Sequence, residues 1–150
     1  MKEWIQDLNQ TINASVKEWT AVPKSAWIKK PQPEKWSKAE VVGHLIDSAQ
    51  NNIQRFIRAQ YEGAPNHFYN QNEWVRFQHH AIVPKRDLIR LWALLNKQVC
   101  HIVANMPAEN LELPCYFKVD GVLLTVSLRF VIEDYLEHLK HHLRQIQAIS

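Results

Sequence analysis

The chain has 150 residues, of which 46% are hydrophobic, with a formal net charge of +3. That is the length of one ordinary domain with a core of its own, and the composition excludes a disordered or membrane-like chain. The absence of any run of 18 or more apolar residues predicts no membrane span, and the scattered basic residues show no stripe or arm of the kind that binds nucleic acid.

The first predicted helix runs from about Lys2 to Thr20, where Trp4, Ile5, Leu8, Ile12, Val16 and Trp19 recur at helical spacing. Pro23 ends it, and Pro23, Pro31 and Pro33 make Ala21 to Lys35 read as an extended connection. A second helix begins at Ser37, which forms an S-x-x-E capping box with Glu40. Trp36 is placed to act as a hydrophobic staple on Val41. The helix continues to about Tyr61.

Glu62 to Val83 is a long connection with Asn70, Asn72 and several aromatic residues, and Gln71 to His80 is expected to hold a helical turn or two. The third helix starts near Pro84, a suitable first-turn proline, and ends before Pro107. Met106 to Leu124 reads as irregular, with a turn signal at Asp120-Gly121 that admits a short extended pair but does not predict a sheet. The fourth helix starts near Thr125 or Val126 and runs to about Ile149. Four amphipathic helices predict an all-α four-helix bundle over residues 1–150, with at least one long crossover connection.

Chemistry is concentrated in the histidines, of which there are eight. Residues four apart on a helix lie ~40° apart and about 6 Å along the axis, so His138 and His142 can face one ion. A third ligand must come from another element, and His44 sits in the apolar stripe of the second helix. Three histidines leave a tetrahedral ion one open position for water, substrate or a small thiol. Against this stands the ordinary fate of a histidine on an apolar face, which is to be a satisfied core residue. His141 competes with His142, but it lies beside Lys140 and Arg144 on the polar side.

Trp36-Ser37-x-x-Glu40 with Gly43-His44-Leu45, followed at a fitting distance by His138-x-x-x-His142-x-x-Gln145-Ile146, resembles the second- and fourth-helix signatures of the DinB-like, or YfiT-like, metal-dependent hydrolase superfamily. The resemblance covers nearly the whole chain. It implies a four-helix bundle and a divalent metal held by His44, His138 and His142, with zinc or nickel first and iron or manganese as alternatives. Some relatives are transferases or isomerases that use a low-molecular-weight thiol, so the resemblance leaves the reaction open between hydrolysis and thiol transfer.

Other residues are candidates on position. Asp47, three after His44, and Asp134, four before His138, can each orient a ligand imidazole or be plain helix-surface carboxylates. Asn52 and Arg55 follow on the second helix, and the guanidinium suits an anionic group on a substrate. Trp36, Tyr69 and Trp74 can wall an apolar pocket, and Tyr135 can bring a phenol near the ion, although core packing is the ordinary role of such residues. Cys100 and Cys115 have no metal-type spacing and form no disulfide framework.

The N-terminal residues lack an apolar h-region, which predicts no secretory signal and a reducing cytoplasm. The expected partner is a small-molecule substrate, with a homodimer admitted by the amphipathic bundle. The alternative is a non-catalytic bundle with a structural or vestigial metal site, closed by a fourth ligand such as Asp47, that acts through protein association.

Overall fold

The computed structural model describes residues 1–64, 67–119 and 121–149. Its long helices are α1 (Lys2–Ala21), α3 (Lys38–Arg58), α5 (Lys85–Ala104) and α6 (Leu128–Ala148); shorter ones are α2 (Lys24–Ile28) and α4 (Gln71–Gln78). Strands β1 (Pro114–Val119) and β2 (Val122–Ser127) form an antiparallel hairpin, with Pro114 opposite Ser127 and Val119 opposite Val122. Asp120, the first residue of the expected turn, lies outside the described residues. None of the described helices is long and apolar enough to cross a membrane.

The expected Ser37 capping box is present: Ser37 N–H donates to Glu40 Oε2 at 2.8 Å, and Glu40 N–H donates to Ser37 Oγ at 3.3 Å. Helix α6 begins two to three residues later than its expected start. Thr125 and Val126 pair with Tyr116 and Cys115 across the hairpin, and Ser127 caps the helix by accepting from Phe130 N–H. β-Branched residues favour the strand at that boundary. The extended reading of Ala21 to Lys35 is likewise corrected by α2, whose Trp27 is fully buried. The helical turns expected at Gln71 to His80 appear as α4 followed by a 3-10 turn at His80–Ile82.

Around the bundle, α3 packs against both α5 and α6, and α1 packs against the same two helices. One continuous apolar cluster fills the centre, including Leu8, Ile12, Leu45, Trp92, Ile132 and Leu139. Trp19 packs at a tilt against Trp92 and Trp27, with ring centroids 4.5 and 6.2 Å away. Two lysines tie off helix ends. Lys85 Nζ donates to the carbonyls of Trp19, Thr20 and Val22, and the buried Lys38 Nζ donates to those of Ile146 and Ile149. The second clamp fixes the start of α3 against the end of α6, the two helices that carry the histidine motifs.

Candidate metal centre

His44 projects from the buried face of α3 and is wholly inaccessible to solvent. His138 and His142 stand one turn apart on α6 and are half-buried. Their rings meet: His44 Nε2 lies 3.4 Å from His138 Nε2, and His142 Nε2 lies 3.2 Å from His138 Nε2. Ligand atoms of all three fall within 4.8 Å of one another, and no fourth His, Cys, Asp or Glu joins the group among the described residues.

This arrangement fits a cation. A neutral imidazole nitrogen offers either one N–H or one lone pair, so three converging Nε2 atoms cannot all satisfy one another. A tetrahedral ion ~2.0–2.1 Å from each nitrogen would hold them about 3.3–3.4 Å apart, which is close to the spacing found. His142 is already in the required tautomer: its Nδ1–H donates to Gln145 Oε1 at 2.7 Å, which turns the Nε2 lone pair toward the other two rings. Burial is the main reason that all three imidazoles resist protonation. It lowers His44 to about 3, with further lowering by His142 and His138, and His138 to about 4, with further lowering by His142 and His141. His142 is lowered too, by burial, although the Gln145 contact partly offsets this.

Trp36 covers one side of the group, its ring 5.2 Å from that of His44. His138 also opens onto a cleft of about 290 Å³, walled by Asn52 and Arg55 from α3, Asp134 and Tyr135 from α6, and Lys118 from β1. A larger groove of about 480 Å³, between α1 and α5, contains no histidine or carboxylate.

The remaining candidates are sorted by this geometry. Asp47 does not reach the imidazoles of the group. It is fully buried on a different side of α3, where Oδ1 accepts from Gln78 Nε2 at 2.6 Å and Oδ2 lies 3.6 Å from His80 Nε2. Three residues advance a helix by ~300°, enough to turn Asp47 toward the α4 side. His44 Nδ1 therefore has no protein hydrogen-bond partner among the described residues. Asp134 lines the cleft but makes no hydrogen bond to His138, and burial raises its pKa. Asn52 and Arg55 line the cleft and bond to each other, Arg55 Nη1 donating to Asn52 Oδ1 at 2.9 Å.

Tyr135 is committed to the core, since its hydroxyl donates to the buried Asn96 Oδ1 at 2.7 Å. Trp74 lies outside the cleft, in a surface hollow with Phe77, its ring centroid 5.2 Å from that of Tyr69. Two residues gained roles that spacing did not assign. Gln145 was visible as part of the fourth-helix signature, but its bond to His142 was not. His80 gave no sequence signal beyond its place in a long loop. It is buried against Gly43, where a Cβ would collide with its ring.

Sequence comparison with curated proteins finds no match. Among solved structures, the fold is similar to YfiT from Bacillus subtilis, described as a probable metal-dependent hydrolase with an unusual four-helix bundle topology. The TM-score is 0.86 at 20% identity, covering 99% of this chain and 85% of that one. It is also similar to a mycothiol-dependent maleylpyruvate isomerase in two structures, with TM-scores of 0.74 and 0.71 at 11% and 9% identity. These cover 95% and 89% of this chain but only 59% and 55% of the isomerase, so the chain spans little more than half of that protein. The profile of the DinB superfamily matches residues 7–146, and the chain belongs to that superfamily.

Proposed function

We propose that this protein is a metal-dependent enzyme in which His44, His138 and His142 are the ligands of one divalent ion, zinc or nickel before iron or manganese. The observation that carries the reading is the convergence of three Nε2 atoms with no fourth protein ligand among the described residues. A three-histidine set leaves a position for an exchangeable ligand, unlike a closed structural site. The ion would supply a Lewis acid that polarises a substrate oxygen or favours the deprotonated form of a water or thiol.

The chain's own groups do the rest. Gln145 keeps His142 in the ligating tautomer, Trp36 shields one face, and the cleft beside His138 admits a small molecule. Hydrolysis is favoured by likeness to YfiT, and chemistry on a low-molecular-weight thiol by likeness to the mycothiol-dependent isomerase. In this reading the chain is one domain that works in the cytoplasm, and at least one of its long connections crosses over the bundle.

A second reading, association without catalysis, is favoured by the hairpin, which exposes Val122, Leu123 and Leu124. It predicts a concentration-dependent homodimer in sedimentation and no turnover.

The deciding measurement is metal content per chain in tag-free protein, beside His44→Ala and His142→Ala. Near one equivalent in the parent and its loss in both variants is the expected result. Failure of the parent to take up zinc, nickel, iron or manganese on reconstitution would overturn the reading.

A further inference from the structure

The cleft beside His138 carries a cation, Arg55, that forms no ion pair with any described residue. Arg55 is held from two sides by neutral acceptors: Nη1 donates to Asn52 Oδ1 at 2.9 Å, and Nη2 donates to the backbone carbonyl of His67 at 2.8 Å. Its Nε is buried without a partner. Asp134, on the facing helix, acts on it only from beyond contact distance. A guanidinium keeps its proton at any physiological pH, so the charge stays in place despite the cost of burial.

Neutral clamps of this kind fix the plane of the fork without spending its charge. Each Nη still has a second N–H, so the fork keeps donors for an acceptor in the cleft that Arg55 lines. Lys118, exposed on β1 at the rim, adds a second cation. Two cations against the single carboxylate of Asp134 leave the walls with a surplus of one positive charge when the imidazole of His138 is neutral. A volume of about 290 Å³ lies at the lower end of small-molecule sites.

We propose that Arg55, oriented by Asn52 and the His67 carbonyl, anchors a carboxylate on a small substrate and so directs the other end of that molecule to His138 and its neighbours. The location of the reacting end rests on the metal-site reading; the carboxylate anchor does not. A planar fork matches a carboxylate edge to edge, and extra binding energy away from the reacting centre is what positions a substrate for chemistry.

The test compares 3-mercaptopropionate with its uncharged analogue 3-mercapto-1-propanol, on zinc-loaded and metal-free protein. Affinity is read by calorimetry, and the anchor by the ¹H–¹⁵N resonance of Arg55 Nε. The acid is expected to bind at least ten-fold more tightly than the alcohol to the zinc-loaded parent. The Arg55 resonance should move with the acid and not with the alcohol, in both forms of the protein. Arg55→Gln should lose the preference for the acid and keep the affinity for the alcohol.

Equal affinities in the parent, or an undiminished preference in Arg55→Gln, would overturn the anchor. If zinc fails to bind, the metal reading falls, and the resonance in the metal-free protein still decides the anchor. If Arg55→Gln does not fold, an Arg55 resonance in the parent that ignores the acid is sufficient to reject it.

Discussion

His142 can offer Nε2 to a metal only while its other nitrogen carries the proton, and Gln145 Oε1 accepts from that Nδ1–H across 2.7 Å between the two heavy atoms. Gln145→Leu keeps the approximate shape and removes the acceptor. Loss of such a partner typically weakens metal affinity about 10–100-fold, and competition with a chromophoric chelator would measure the change. Gly43 makes the opposite demand. Glycine to alanine within a helix is ordinarily worth up to about 1 kcal/mol of stability, but a methyl at position 43 meets the buried ring of His80. Overpacking of this sort costs about 1–3 kcal/mol, so Gly43→Ala should melt a few degrees below the parent, and His80→Ala in the same chain should restore part of the loss.

At this scale the sequence was uneven in what it revealed. The histidine pair could be read from helical spacing, because one turn sets two side chains on one face. His44 stood out only as a polar break in an apolar stripe. Spacing leaves Asp47 open between orienting an imidazole and lying on the helix surface, because position along one helix does not show that Gln78 and His80 cover that side. His80 sits in a connection with no periodicity, and its burial depends entirely on how α4 and its 3-10 turn fold back over α3.

Among the elements, α3 carries the heaviest positional load, since His44, Asp47, Asn52 and Arg55 all project from it. Its start is pinned by the Ser37–Glu40 box, and Ser37 itself is fully buried. Ser37→Ala should therefore cost about 1 kcal/mol, seen as a lower urea midpoint with an unchanged m-value. The four long helices were legible because each repeats its apolar residues over several turns and ends near a proline or a cap. The five-residue α2 was not, since one buried tryptophan between prolines makes no period. The hairpin is also faint in the sequence. Val122, Leu123 and Leu124 are consecutive and all exposed, so the alternation that marks a half-buried strand is missing there.

For the whole molecule, the buried imidazoles link stability to pH. His44 and His138 titrate near pH 6.5 when unfolded, but at about 3 and about 4 in the folded protein. Between those limits the unfolded chain binds more protons than the native one, so unfolding becomes easier as the pH falls. Melts of metal-free protein should show full stability above about pH 6.5 and a progressive loss that continues to about 3, the folded value of His44. His138→Ala should show a shallower loss. Metal acts on the same equilibrium from the other side. Free ion at 100 times its dissociation constant adds about 2.7 kcal/mol to a protein that binds it only when folded. Zinc should therefore raise the parent's Tm by several degrees and leave that of His138→Ala nearly unmoved.

The ammonium of Lys38, seated on the carbonyls of Ile146 and Ile149, has a mechanical consequence. A pull on α6 from the side of Ile149 reaches this clamp before it reaches His142 and then His138. The helix must let go of α3 at the lysine before any load passes to the histidine rings. In a single-molecule extension, Lys38→Met should lower the force of the first rupture, and bound zinc should raise that of the second.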